Sequence, residues 1–224
     1  MEDKTTSFID VWQKSRLFVK KELESREGES HGLAHAERVC STSIHIASFL
    51  PCSTKMLVDI VLVSMLHDVL DHKYCVAHES EKRLKEFIFQ IKSDKDSMKS
   101  ILDTIDAISF SKEKKRGKRW FVAELGKYWV QIRDIVSDSD KIDALGAIGV
   151  QRARQFTKER YSMRGKEISE VDLIKEVIEH AEEKLLRLMD EYVVTVPGKH
   201  LCRPKHDDFV LELNRMKKEM ISHL

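Results

Sequence analysis

The stretch Met56-Leu57-Val58-Asp59-Ile60-Val61-Leu62-Val63-Ser64-Met65-Leu66-His67-Asp68-Val69-Leu70 carries the reading of the fold. Leu57, Ile60, Val61, Leu62, Val63, Met65 and Leu66 make it apolar enough to be a helix buried almost all round. Pro51 breaks whatever precedes it, and Ser53 or Thr54 can cap its start.

Working outward, the spacing of apolar residues predicts helices on both sides. Phe8, Ile9, Trp12, Leu17, Val19 and Leu23 fit an amphipathic helix over Thr5–Glu24, followed by a loop Ser25–Ser30 and a helix over Leu33–Phe49. Beyond the central run, helices are expected at Glu79–Ile91 and Asp96–Phe110. The basic stretch Lys112–Arg119 holds no apolar residue and reads as an exposed loop. A long helical stretch covers Phe121–Arg160, with Gly126, Gly146 and Gly149 as interruptions or close contacts. Asp172–Tyr192 follows a turn at Gly165, and Asp207–His223 closes the chain. Trp120, Tyr128 and Trp129 read as core packing rather than a stacking surface.

Composition agrees. The chain has 224 residues, 42% hydrophobic and 34% charged, with only 8 glycines and 3 prolines. A many-stranded sandwich or barrel needs a turn every ~8–12 residues, and a dinucleotide-binding fold needs a Gly-rich first turn, so both are disfavoured. The expectation is all-α, one domain over residues 1–224, with a motif-bearing core at about 30–160 and C-terminal helices at about 168–224. Lys and Arg number 39 against 38 Asp and Glu, which disfavours nucleic acid or a membrane as partner. Four cysteines without a C-x-x-C pair, and no signal-like segment, suggest a reduced, soluble, cytoplasmic protein.

Chemistry gathers where the central helix ends. An ionisable group in a core costs several kcal/mol unless paired or ligated, and His67-Asp68 poses that problem. Asp71 follows three and four residues on, in His67-Asp68-Val-Leu-Asp71-His72-Lys73-Tyr74. Matching groups occur in His31-Gly-Leu-Ala-His35-Ala-Glu-Arg38-Val39 and in Asp138-Ser-Asp140-Lys-Ile-Asp143. Two histidines and two aspartates can close on a divalent ion. Spacing alone leaves Asp138, Asp140 and Asp143 as competing carboxylates, and leaves His31 as either a site or a loop residue.

These residues resemble the HD-domain family of metal-dependent phosphohydrolases, whose order is His, then adjacent His-Asp, then a distant Asp. The likeness is greater to a small stand-alone branch, nucleotide phosphohydrolase or pyrophosphohydrolase in type. Its three patterns appear as His31 to Val39, His67 to Tyr74 and Asp138-Ser-Asp140-Lys-Ile-Asp143-Ala-Leu-Gly146-Ala-Ile-Gly149. Glu179-His180-Ala-Glu-Glu183-Lys184-Leu-Leu extends it, so the match spans about residues 30–210. Departures are Gly32 for Asp, Ser139 for Ala and Ala181 for an aromatic. The resemblance implies an HD-domain helical bundle with His35, His67, Asp68 and Asp140 as metal ligands, and Asp143 as a supporting or capping group.

Two imidazoles and two carboxylates without thiolate suit Mn²⁺ first, then Fe²⁺, Co²⁺, Ni²⁺ or Mg²⁺, rather than structural zinc. Asp71, beside Asp68, is the expected catalytic carboxylate that holds a water or takes its proton. Arg38, Lys73, Arg152 and Lys184, with His180 on the same helix face as Lys184, are expected to meet phosphate oxygens. The implied substrate is a small phosphorylated molecule, a nucleotide or deoxynucleotide, with a homodimer as one assembly open to the chain. Dinuclear relatives, including di-iron oxygenases, carry two extra histidines before the last Asp. Here Glu79 to Glu179 contains none, so one ion is expected. A metal-retaining but inactive binding or signalling domain is the alternative reading.

Overall fold

A computed structural model describes residues 7–23, 32–70 and 77–222; within these it is helical and without strands. The described residues fall into two compact units, one ending at Ser137 and the other beginning at Asp138.

The first unit is built around the apolar run quoted above. Helix α3 (Thr54–Leu66) starts at the Ser53 cap, whose hydroxyl accepts the Met56 N–H at 3.2 Å. Every residue from Asp59 to Leu66 is buried, so α3 is surrounded by its neighbours. Helix α1 (Phe8–Leu23) lays Val11, Ser15, Val19 and Glu22 on it, a spacing of three and four that defines one helical face. Helix α2 (Leu33–Ala47) packs on both through Ala36, Val39, Cys40, Ser43 and Ile46. Helix α4 (Ala77–Lys92) meets α1 through stacked Phe18 and Phe87 rings, centroids 4.3 Å apart, and through a bidentate Arg83–Glu22 pair. Helix α5 (Lys95–Ile108) is capped by Asp94, which accepts two backbone N–H groups, and packs on α3 and α4.

The basic run differs from expectation. Phe110–Arg116 is a helix, α6, ending at Gly117 with φ 96°. The run docks through polar anchors rather than apolar ones. Glu113 is buried and binds the guanidinium of Arg133, itself 0% exposed, at 2.8 Å. Arg133 also donates to the Ala107 carbonyl at 2.9 Å and lies over the Phe121 ring at 4.0 Å. Arg116 stacks on Trp120 at 3.6 Å, and Arg119 pairs with Asp134 at 3.0 Å.

The predicted long stretch divides at its glycines. A 3-10 turn Trp120–Ala123 precedes helix α7 (Lys127–Asp143), and helix α8 (Gly146–Ser162) starts afresh at Gly146, whose φ of 71° ends the run from α7. In α7, Tyr128 donates to the fully buried Asp59 at 2.6 Å, while Lys92 pairs with the other carboxylate oxygen, tying α7, α3 and α4 together. Burial and that bond push the Tyr128 phenol far above its ordinary value.

The second unit comprises the end of α7, then α8, α9 (Glu170–Glu183), a 3-10 turn Leu185–Arg187, α10 (Leu188–Glu191) and α11 (Val196–Ser222). Val150, Ala153 and Thr157 of α8, Leu173, Val177 and Ala181 of α9, and Cys202, Phe209 and Leu213 of α11 form its interior. Helix α9 stops at Lys184 rather than continuing to Tyr192. Helix α11 begins eleven residues before the expected Asp207 and carries Pro204 within it. One proline removes a single helical N–H, and the buried face of α11 outweighs that loss.

Candidate metal centre

His35 stands in the first turn of α2 and is 1% exposed. His67 is the residue on which α3 ends, and Asp68 follows it directly. A helix terminus leaves backbone carbonyls without helical partners. The Ser64 carbonyl is met by His67 Nδ1 at 2.7 Å. A carbonyl only accepts, so Nδ1 carries the proton and Nε2 presents its lone pair. That Nε2 faces His35 Nε2 at 3.2 Å, with the rings edge to face. Asp68 Oδ2 lies 3.3 Å from His35 Nε2 and 3.5 Å from His67 Nε2.

Three ligand-type atoms thus form a triangle with edges of 3.2, 3.3 and 3.5 Å. Two ligands about 2.1 Å from a shared ion are about 3.0 Å apart at a right angle and about 3.4 Å apart at a tetrahedral one. The triangle has the size one ion requires. Without a cation or a proton between them, buried nitrogen lone pairs and a carboxylate oxygen repel, so the residues fit a metal. This His/His/Asp cluster can hold a metal ion.

The other two carboxylates of the last motif are engaged differently. Asp138 is 0% exposed: its Oδ1 accepts the Val194 N–H at 3.0 Å, and its Oδ2 accepts the Thr195 N–H at 2.8 Å and hydroxyl at 2.7 Å. Burial pushes its carboxyl up to about 6, against the lowering effect of those donors. Thr195 Oγ1 in turn accepts the Gly198 N–H at 3.0 Å, capping α11. A Cβ at Gly198 would stand 2.5 Å from Asp138 Oδ2, so only glycine permits this approach. Asp143 instead accepts from Arg152 Nη1 at 3.0 Å.

Of the expected phosphate-binding residues, Arg38 is half-buried on α2, one turn from His35. Arg152, on α8, is held by Asp143 with both side chains largely buried. His180 is half-buried on α9, its ring 6.5 Å from that of Phe156. Lys184 is the residue on which α9 ends, its N–H bonded to the His180 carbonyl at 3.1 Å. Asp71 and Lys73, like His31, lie outside the described residues. Residue spacing does not reveal the Asp138–Thr195–Gly198 arrangement, since Asp138 lies far from the other two in the chain. Its signal was Thr195-Val-Pro-Gly198, a capping residue followed by a first-turn proline.

No family model matches the chain, and no curated protein does. Solved structures do. Bacillus subtilis YpgQ in complex with ADP superposes with a TM-score of 0.69 at 19% identity, covering 95% of this chain and 96% of that one. A Lactobacillus plantarum protein gives 0.72 at 20% identity, covering 95% and 97%. An HD-superfamily hydrolase from Bacillus thuringiensis gives 0.65 at 22%, covering 95% and 98%. No helix among the described residues is long and apolar enough to cross a membrane. An all-helical chain that superposes over nearly its whole length on these structures shares their fold, that of YpgQ and of an HD-superfamily hydrolase.

Proposed function

We propose that residues 1–224 act as one metal-dependent phosphohydrolase domain, cleaving a phosphate ester or phosphoanhydride of a nucleotide or deoxynucleotide. The observation that carries this reading is the triangle of His35, His67 and Asp68. Its edges suit an ion, and its lack of thiolate suits a hard or borderline one. The fold shared with an HD-superfamily hydrolase supports the reaction class, and the ADP bound to YpgQ supports the substrate class.

In this reading His35, His67, Asp68 and Asp140 hold a single divalent ion, Mn²⁺ first. When bound, it supplies Lewis acidity toward water and phosphoryl oxygen. The protein's own groups do the rest. The Ser64 carbonyl fixes the ring of His67 and its tautomer. Asp71 accepts the proton of the attacking water. Arg38, Lys73, Arg152, His180 and Lys184 take the phosphate oxygens, with Arg152 preset by Asp143.

The test is purified protein, stripped of metal, reloaded with Mn²⁺ and screened against nucleoside mono-, di- and triphosphates, with phosphate, pyrophosphate and triphosphate resolved as products. Metal-dependent release that Asp68→Ala abolishes supports the proposal. Turnover that survives Asp68→Ala, or proceeds without metal, overturns the mechanism. Silence on every phosphorylated compound moves the reading to a metal-retaining binding domain.

A further inference from the structure

Asp138 is fully buried, is bonded to three donors of one chain turn, and stands two residues before the proposed ligand Asp140. On a helix, residues two apart project about 200° from one another. The carboxylate of Asp138 and that of Asp140 therefore leave opposite sides of the last turn of α7, one committed to the start of α11 and the other half-exposed. We infer that Asp138 is a positioning residue: its clasp on Val194 and Thr195 fixes the rotation of α7 about its own axis, and so aims Asp140 at the ion. This inference rests on the metal centre proposed above.

The lever arm gives the sensitivity. With Cα at about 2.3 Å radius, a carboxylate lies roughly 5 Å from the helix axis, and a roll of about 10° moves it about 0.9 Å. Metal–ligand distances hold to about 0.2 Å. A roll of a few degrees is therefore enough to spoil ligation by Asp140 while leaving α7 a helix.

The clasp resists that roll at three points. Both backbone donors belong to consecutive residues, so the two carboxylate oxygens are held in a fixed plane. The Thr195 hydroxyl adds a third bond while capping α11 through Gly198. Gly198 sets how closely the helix start can approach, since a methyl there would meet Asp138 Oδ2 at 2.5 Å and Thr195 Oγ1 at 2.6 Å.

A bare electrostatic role for Asp138, drawing the cation by its charge, is separable from this one. Thr195→Val and Gly198→Ala disturb the clasp and leave every charge in place. The experiment measures Mn²⁺ dissociation constants on the full chain by chelator competition, with thermal unfolding of each apo variant followed alongside. The panel is wild type, Asp138→Ala, Thr195→Val, Gly198→Ala, Asp140→Asn, and the last combined with Thr195→Val.

We expect Thr195→Val and Gly198→Ala to weaken Mn²⁺ binding by about tenfold or more, in the range found for groups that orient ligands. In the Asp140→Asn background, Thr195→Val should have no further effect, because the clasp acts through Asp140. A Thr195→Val protein that unfolds like wild type and binds Mn²⁺ as tightly overturns the positioning role. So does an equal weakening with and without Asp140. Should Asp138→Ala fail to fold, Thr195→Val, which removes a single hydroxyl, carries the same decision. A wild type that takes up no Mn²⁺ overturns the metal centre itself, and the inference with it.

Discussion

His67 gives its Nδ1 proton to the Ser64 carbonyl at 2.7 Å, and so turns its Nε2 toward His35 Nε2 at 3.2 Å. A cation bound between these nitrogens would favour the folded chain over the unfolded one. At a hundredfold excess of metal over its dissociation constant, binding contributes about 2.7 kcal/mol. For a chain of this length that corresponds to roughly 5–10 °C in the unfolding midpoint. Chelator should lower the midpoint by that amount and Mn²⁺ should restore it, as followed by calorimetry.

Ligation requires both imidazoles neutral, so protons compete with the ion. Apparent Mn²⁺ affinity should fall as pH is lowered through the range where histidines protonate, with protons released on binding. Titration calorimetry in buffers of different ionisation enthalpy reads that release; a proton count of zero at acidic pH would contradict ligation by His35 and His67.

Arg133 and Glu113 are 0% and 3% exposed and hold α6 to α7. Glu113→Ala takes one acceptor from buried Arg133 and leaves it Asp134 at 3.3 Å and the Ala107 carbonyl at 2.9 Å. It should cost about 1–3 kcal/mol of stability, read by denaturant unfolding. Replacing both residues by apolar ones of similar volume should recover much of the loss.

Tyr128 supplies a 2.6 Å bond to fully buried Asp59. Tyr128→Phe keeps the ring but leaves that carboxylate one donor short, which should cost about 1–3 kcal/mol. An unchanged urea midpoint would show that Lys55 and Lys92 satisfy Asp59 by themselves.

Burial pushes the thiol of Cys40 up to about 11 and that of Cys202 to about 12. At pH 8 the Cys40 thiol therefore stays almost wholly protonated. In the native protein both should resist iodoacetamide at pH 8, while Cys52, less enclosed, is alkylated before either of them. Mass spectrometry of timed digests checks the order.

Much of the fold was legible because its signals are local. The apolar run of α3, the Ser53 cap and the break at Gly146 each depend on residues within one turn of the feature they mark. Helix α6 was not legible, since its docking rests on Glu113 meeting a residue twenty positions on. The start of α11 was not legible, since Pro204 lies inside the helix and the capping residue Thr195 is held by Asp138, 57 positions away. At the site, His67-Asp68 stood out because polar residues end an apolar helix. The choice among Asp138, Asp140 and Asp143 was hidden, because the donors that engage Asp138 lie 56 and 57 residues away.

The ending of α3 on His67 also has an electrical meaning. A helix carries the equivalent of about half a negative charge at its carboxyl end. Here one of those terminal carbonyls, that of Ser64, is wired through the imidazole to the nitrogen that faces the site. Thirteen residues of nearly uncharged helix thus act as an electron-pushing substituent on one ring. Part of the pull on a cation would therefore originate in the backbone, and it reaches the site only as long as His67 carries it.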